Sequence, residues 1–143
     1  MKTQGFSLDF RSGVPVYVQL VEQVQAHLAR GNLKPGDQLP TVRQMASELR
    51  INFNTVARAY RMLDEAGLIS TQQGRGTYIL ETLEEENAQS LKRSTLQIQV
   101  QRFLGQLARQ GYSAAEAEDS FMEQLTEWKN GQLMNLNSSE LDE

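Results

Sequence analysis

Residues 41–63 read TVRQMASELRINFNTVARAYRML, and the spacing of their apolar positions decides the fold. Val42, Met45, Ala46 and Leu49 form one helical stripe, and Val56, Ala59, Tyr60 and Leu63 form a second at i, i+3, i+4, i+7. Thr41 can cap the first helix with its hydroxyl while Gln44 reaches back to complete a capping box. Asn52 stands where the second helix needs its N-cap. Two short helices meeting across a tight turn are predicted.

Upstream, Pro15 suits a first helical position, and Tyr17, Leu20, Val21, Val24 and Leu28 recur at helical spacing until Gly31, a left-handed stop. Asn32 to Asp37, punctuated by Pro35-Gly36, reads as a loop. Downstream, Gly67 ends the third helix, and Leu68–Gln72 and Thr77–Leu80 read as strands around the turn Gln73-Gly74-Arg75-Gly76. Helix, helix, helix, hairpin is the order of a winged helix-turn-helix. The fold class predicted is mostly α with a small β-hairpin, followed by a short two-helix C-terminal region.

The chemistry this layout offers is recognition. With its apolar stripe buried, the third helix turns Asn54, Arg58 and Arg61 outward, and its first turn adds Asn52, Phe53 and Thr55. Amides pair bidentately with adenine, arginine pairs with guanine or phosphate, and backbone N–H groups at a helix start attract phosphate oxygens. Arg43 on the second helix suits a backbone contact that fixes register. Arg75, between Gly74 and Gly76, sits where a small turn can carry one guanidinium into a minor groove. A plain hairpin turn explains those glycines equally well. The stretch lacks the Lys-Ser/Thr and the strand-to-helix setting of a nucleotide-phosphate loop.

The formal charge of -4 conceals a division. Nine Lys/Arg stand against six Asp/Glu up to Leu80, a net +3, and five against twelve from Glu81 onward, a net -7. The first part suits a polyanion and the second is repelled by one. The boundary falls at Thr82 to Asn87, giving a first domain over 1–81, a helical region over 82–134 and a polar, disordered tail over 135–143.

In residues 33–46 the string LKPGDQLPTVRQMA, followed by NTVARAY at 54–60 and GRGTY at 74–78, resembles the GntR family of bacterial transcription regulators. PVYVQL at 15–20, together with the NTVARAY helix, resembles the YtrA-like subgroup in particular. The resemblance implies a dimeric DNA-binding repressor. It carries operator contact to Arg43, recognition-helix roles to Asn52, Asn54, Thr55 and Arg58, and the wing-tip role to Gly74 and Arg75. The subgroup commonly has proline where this chain has Phe53, which offers an apolar base contact of its own. With Thr41 and Arg61, these residues make up the candidate DNA-binding set.

From Asn87 to Gln110, Leu91, Ile98, Phe103, Leu104 and Leu107 mark one amphipathic helix that Gly111 stops. Ser113-Ala114-Ala115-Glu116 is a capping box opening another helix, lined by Ala117, Phe121, Leu125 and Trp128 and ended at Gly131. Two such helices leave too little area for an independent core, so the stripe must pack on the first domain or on another copy, and it is assigned to homodimerisation. An intramolecular core of Phe103, Phe121 and Trp128 competes with that assignment.

The chain has no cysteine and one histidine, His27, so thiolate zinc sites, disulfides and imidazole-rich metal sites are not expected. No nucleophile, base and orienter assemble, and His27, in the last turn of the first helix, reads as a polar surface or helix-end residue. No catalytic residue, metal or cofactor is predicted; a small-molecule effector is compatible, but no residue marks its pocket. The longest apolar stretch, Val14 to Val18, is far short of a bilayer span, so a cytoplasmic protein without membrane partners is expected. The main reading is a sequence-specific, dimeric transcriptional repressor that binds a double-stranded operator. The alternative is a winged-helix protein-interaction module, which an apolar third-helix face would favour and which Phe53 alone supports.

Overall fold

The structure, a computed structural model, describes residues 5–72, 75–81 and 83–131. Helix α1 runs Val16–Arg30, α2 Val42–Leu49 and α3 Phe53–Glu65. Strands β1 Gln38–Leu39, β2 Ile69–Gln72 and β3 Gly76–Ile79 form an antiparallel sheet in the order β1-β3-β2. Helix α4 spans Glu85–Arg109 and α5 spans Ala114–Lys129. This is the mostly helical winged helix-turn-helix expected from the sequence.

The helix ends follow the predicted chemistry. Pro15 is the N-cap of α1, one residue earlier than predicted, and Gly31 closes the helix at φ 77°. The Thr41 hydroxyl accepts the Gln44 N–H at 3.1 Å while Gln44 Oε1 accepts the Thr41 N–H at 2.9 Å. Asn52 Oδ1 accepts the Asn54 N–H at 2.7 Å. Between α2 and α3 the chain turns through Arg50, which is left-handed at φ 55° with the following Ile51 N–H bonded to Ala46 O.

Strand β1 was not foreseen, because two residues carry no period. It forms because the end of the predicted loop pairs with the end of β3: Gly36 N–H donates to Ile79 O at 2.9 Å and Ile79 N–H to Asp37 O at 2.8 Å. Gln38 then lies opposite Tyr78, and Leu39 opposite Thr77. Leu39 and Thr77 are buried at 1% and 2% exposure.

The chain divides into two compact units, Met1–Gln99 and Val100–Glu143. The core of the first gathers Val21 and Val24 of α1, Met45 of α2, Val56, Ala59 and Leu63 of α3, and Ile69 and Ile79 of the sheet. Each fully buried Val, Leu, Ile or Met side chain of this kind contributes about 1.5–3 kcal/mol. Leu91 of α4 belongs to the same core, which corrects its assignment to a dimer interface. It is 4% exposed, and Thr95, one turn later, is equally hidden, with its hydroxyl donating to Lys92 O at 2.8 Å. The first unit therefore runs beyond residue 81. The shift in charge there records surface composition, whereas Leu91 records packing.

Side chains on α1 also hold the segment that precedes it. Gln19 accepts the Asp9 N–H at 2.9 Å and donates to Asp9 O and Val14 O at 2.8 Å. Gln23 makes the same reciprocal pair with the Ser7 backbone. His27 follows four residues on, its Nε2 3.1 Å from Gly5 O and its ring packed on Phe6 with centroids 5.0 Å apart. His27 is thus a half-buried residue in the last turn of α1, at the helix end where the sequence placed it.

In the second unit, Ser113 and Glu116 form the predicted capping box. The two Ser113 hydrogen bonds, first to its backbone N–H and then to its hydroxyl, lower the Glu116 pKa from the ordinary carboxylate value. Phe103 of α4 meets Phe121 of α5 edge to face, with centroids 5.6 Å apart. The 135–143 tail lies outside the described residues.

Candidate nucleic-acid interface

Helix α3 separates its two faces cleanly. Val56, Ala59 and Leu63 are fully buried and Tyr60 is 5% exposed, while Asn52, Phe53, Asn54, Arg58 and Arg61 are exposed and Thr55 is half-buried. Tyr60 anchors the helix to the chain entering α2, donating its hydroxyl to Pro40 O at 2.6 Å. The bulk of α3's buried side thus fixes which residues turn outward. Arg43 and Thr41 are exposed on α2 and at its cap.

Several of these side chains are already engaged. The Asn52 carbonyl oxygen is committed to the cap, leaving its amide N–H groups as donors to a partner. The Thr41 oxygen accepts from Gln44 in the same way. The Arg58 guanidinium lies over the Tyr17 ring of α1, 4.0 Å from its centroid. Sequence reasoning placed Tyr17 only in the α1 stripe, since nothing in local spacing pairs residues so far apart in the chain.

On the hairpin, Arg75 is exposed and its N–H closes a turn onto Gln72 O at 3.0 Å. Its carbonyl accepts the Tyr78 hydroxyl at 2.6 Å, with Gln38 Nε2 at 3.5 Å. Gly74, the other predicted wing-tip residue, lies outside the described residues. Gln38 and Tyr78 were not foreseen as part of this site, because their pairing depends on strand β1.

All the described DNA-binding candidates belong to the first unit. In that unit, α1 and α4 also flank an open groove of about 630 Å³ with Ala26, Ala29 and Ala88 among its lining residues and Glu22, Glu85 and Lys92 as its charged ones. Among the described residues, no group of three or more His, Cys, Asp or Glu is placed to hold a metal ion. No described helix is long and apolar enough to cross a membrane.

The model of the family described as bacterial regulatory proteins, gntR family, matches residues 16–79, from the start of α1 to the end of β3. Over 90 residues the chain is 39% identical to the uncharacterized HTH-type transcriptional regulator YhcF of Bacillus subtilis, covering 62% of this chain and 74% of that protein. This chain belongs to the GntR family. Among its GntR relatives, the HTH-type transcriptional repressor YtrA of B. subtilis is 46% identical over 74 residues. That match covers 52% of this chain and 57% of the repressor, so the chain spans little more than half of it. The structure of YtrA from Sulfolobus acidocaldarius, a GntR-family transcription factor, superposes with a TM-score of 0.50 at 30% identity, covering 85% of this chain and 97% of that one. The GntR match contains every described candidate for DNA contact on α2, α3 and the hairpin.

Proposed function

We propose that this GntR protein is a sequence-specific transcriptional repressor that binds double-stranded operator DNA as a homodimer. The observation that carries the reading is the outward face of α3, where amides and arginines stand over a fully buried apolar stripe. In this reading α3 enters the major groove, Asn54 reads base edges, and Asn52, Thr55, Arg58 and Arg61 divide base and phosphate contacts. Arg43 and Thr41 hold the phosphate backbone, and Arg75 takes the wing into the minor groove. The names of the GntR relatives, repressor and transcriptional regulator, support the same reading.

The second unit supplies the dimer contact. Phe103, Leu104, Leu125 and Trp128 remain 40–61% exposed in the single chain, apolar surface suited to a second copy, and Leu107 is half-buried, as is Ile98 at the end of the first unit. Two-fold pairing brings two recognition helices to one DNA and raises affinity through effective concentration. Phe53, at 49% exposure, favours the protein-interaction alternative, but its neighbours Asn52 and Asn54 are polar.

Fluorescence anisotropy tests the reading: DNA from upstream of this protein's own gene against a scrambled duplex of equal length, across a salt series. Tight binding to the upstream DNA that loosens with salt supports an operator reader. Equal, weak binding to both duplexes at every salt concentration contradicts it.

A further inference from the structure

Three contacts converge on the backbone of Arg75. Its carbonyl accepts the Tyr78 hydroxyl at 2.6 Å, Gln38 Nε2 stands 3.5 Å away, and its N–H is bound to Gln72 O. The sheet explains how both side chains reach it. Gln38 and Tyr78 are register partners, and because Leu39 and Thr77 point into the core, the two-residue period puts Gln38 and Tyr78 on the opposite face. Gly76 completes the arrangement. Its φ is +102°, and a Cβ there would lie 2.7 Å from Gln38 Nε2, so only glycine admits both the backbone turn and the amide beside it.

Core packing does not account for these polar contacts. Gln38 is exposed and Tyr78 only half-buried, yet the polar ends of both side chains meet the same carbonyl. A hairpin tip left free must be ordered when it binds, at a cost in conformational entropy. Hydrogen bonds formed beforehand remove part of that cost.

We propose that Tyr78 and Gln38 are positioning residues of the wing, which fix the Arg75 peptide and so aim its guanidinium at the DNA. The inference rests on the DNA-binding reading above. Neither residue touches DNA in this scheme; both act through Arg75.

The test uses the full chain and the upstream duplex, with Tyr78→Phe, Gln38→Ala, Arg75→Ala and the double variant Tyr78→Phe/Arg75→Ala compared by anisotropy. Removing the Tyr78 hydroxyl should weaken binding by about three- to tenfold, the range of one net hydrogen bond, and Gln38→Ala by less, given its longer contact. Arg75→Ala should weaken binding and reduce the salt slope by about 1. The double variant should bind no more weakly than Arg75→Ala alone, which a merely structural role for Tyr78 would not produce. In the free protein, amide exchange at Arg75 and Gly76 should rise in Tyr78→Phe while α3 amides stay unchanged. Losses that multiply in the double variant, or unmodified affinity in Tyr78→Phe beside a weakened Arg75→Ala, overturn the positioning role and leave DNA binding intact. Unchanged binding by Arg75→Ala removes the wing from the interface and the positioning role with it. Failure of the unmodified chain to bind would instead overturn the operator reading itself.

Discussion

The guanidinium of Arg58, on the outward face of α3, rests 4.0 Å from the centre of the Tyr17 ring on α1. A flexible cation is thereby held against a half-buried aromatic platform belonging to another helix. At a partly exposed site such a contact is worth about 0.5–1 kcal/mol. Tyr17→Leu should therefore weaken operator binding by about two- to fivefold, while Tyr17→Phe, which keeps the ring face, should bind like the unmodified protein. Anisotropy titrations of both variants check this; equal losses from Leu and Phe would show that the hydroxyl, not the ring, matters.

Arg43 is exposed on α2, where it suits a phosphate contact that carries no sequence information. Arg43→Ala should weaken upstream and scrambled DNA by the same factor and lower the slope of log affinity against log salt by about 1. Salt titrations on both duplexes measure it. A loss confined to the upstream duplex would make Arg43 a base reader.

Much of the fold was legible because its signals are local. Thr41 with Gln44, Asn52, and Ser113 with Glu116 each mark a helix start through a side chain within a few residues, Gly31 marks a helix end by its left-handed backbone, and the stripe Val56, Ala59, Tyr60, Leu63 follows from helical period alone. What escaped is long-range. Strand β1 exists only through its pairing with β3, so Gln38 and Tyr78 could not be joined beforehand. Leu91 looked like part of a continuous apolar stripe on α4, but one helix serves two units, and only packing separates Leu91 in the first core from the exposed Phe103 and Leu104. In the candidate site, the type of residue on the α3 face and the Asn52 cap were readable, whereas the stacking of Arg58 on Tyr17 of another helix depends on tertiary geometry.

Tyr60 joins the stability of α3 to pH. Its buried hydroxyl donates to Pro40 O, and burial raises its pKa above the ordinary tyrosine range. Tyr60→Phe leaves that carbonyl without its donor and should cost about 1–3 kcal/mol at pH 8. Because the folded-state pKa is raised, the stability gained by keeping Tyr60 neutral is fully present below the unfolded value of about 10 and is lost as pH rises above it. Urea unfolding at pH 8 and pH 11 should show a steeper alkaline decline in the unmodified chain than in Tyr60→Phe. Parallel declines would exclude Tyr60 as the source.

Trp128 and Leu91 separate assembly from folding. Trp128 is 61% exposed, and Trp128→Ala should weaken the homodimer by about 2 kcal/mol, roughly thirtyfold, in sedimentation experiments. Leu91→Ala should instead cost about 2–5 kcal/mol of folding stability while leaving the dimer dissociation constant unchanged in the folded protein. For the same reason, a truncation that tests the second unit belongs after Gln99, where it spares Leu91 and Thr95. A Trp128→Ala chain with undiminished dimer affinity would move the interface elsewhere.

If the outward face of α3 reads base sequence, Asn54, exposed in the first turn of that helix, is placed to do so. The quantity to measure is the ratio of affinities for upstream and scrambled duplexes, in the unmodified chain and in Asn54→Ala at one salt concentration. Asn54→Ala should lose about 1–3 kcal/mol on the upstream duplex and little on the scrambled one, so the ratio falls by about one order of magnitude or more. An unchanged ratio, with both duplexes weakened alike or not at all, would contradict base reading by Asn54.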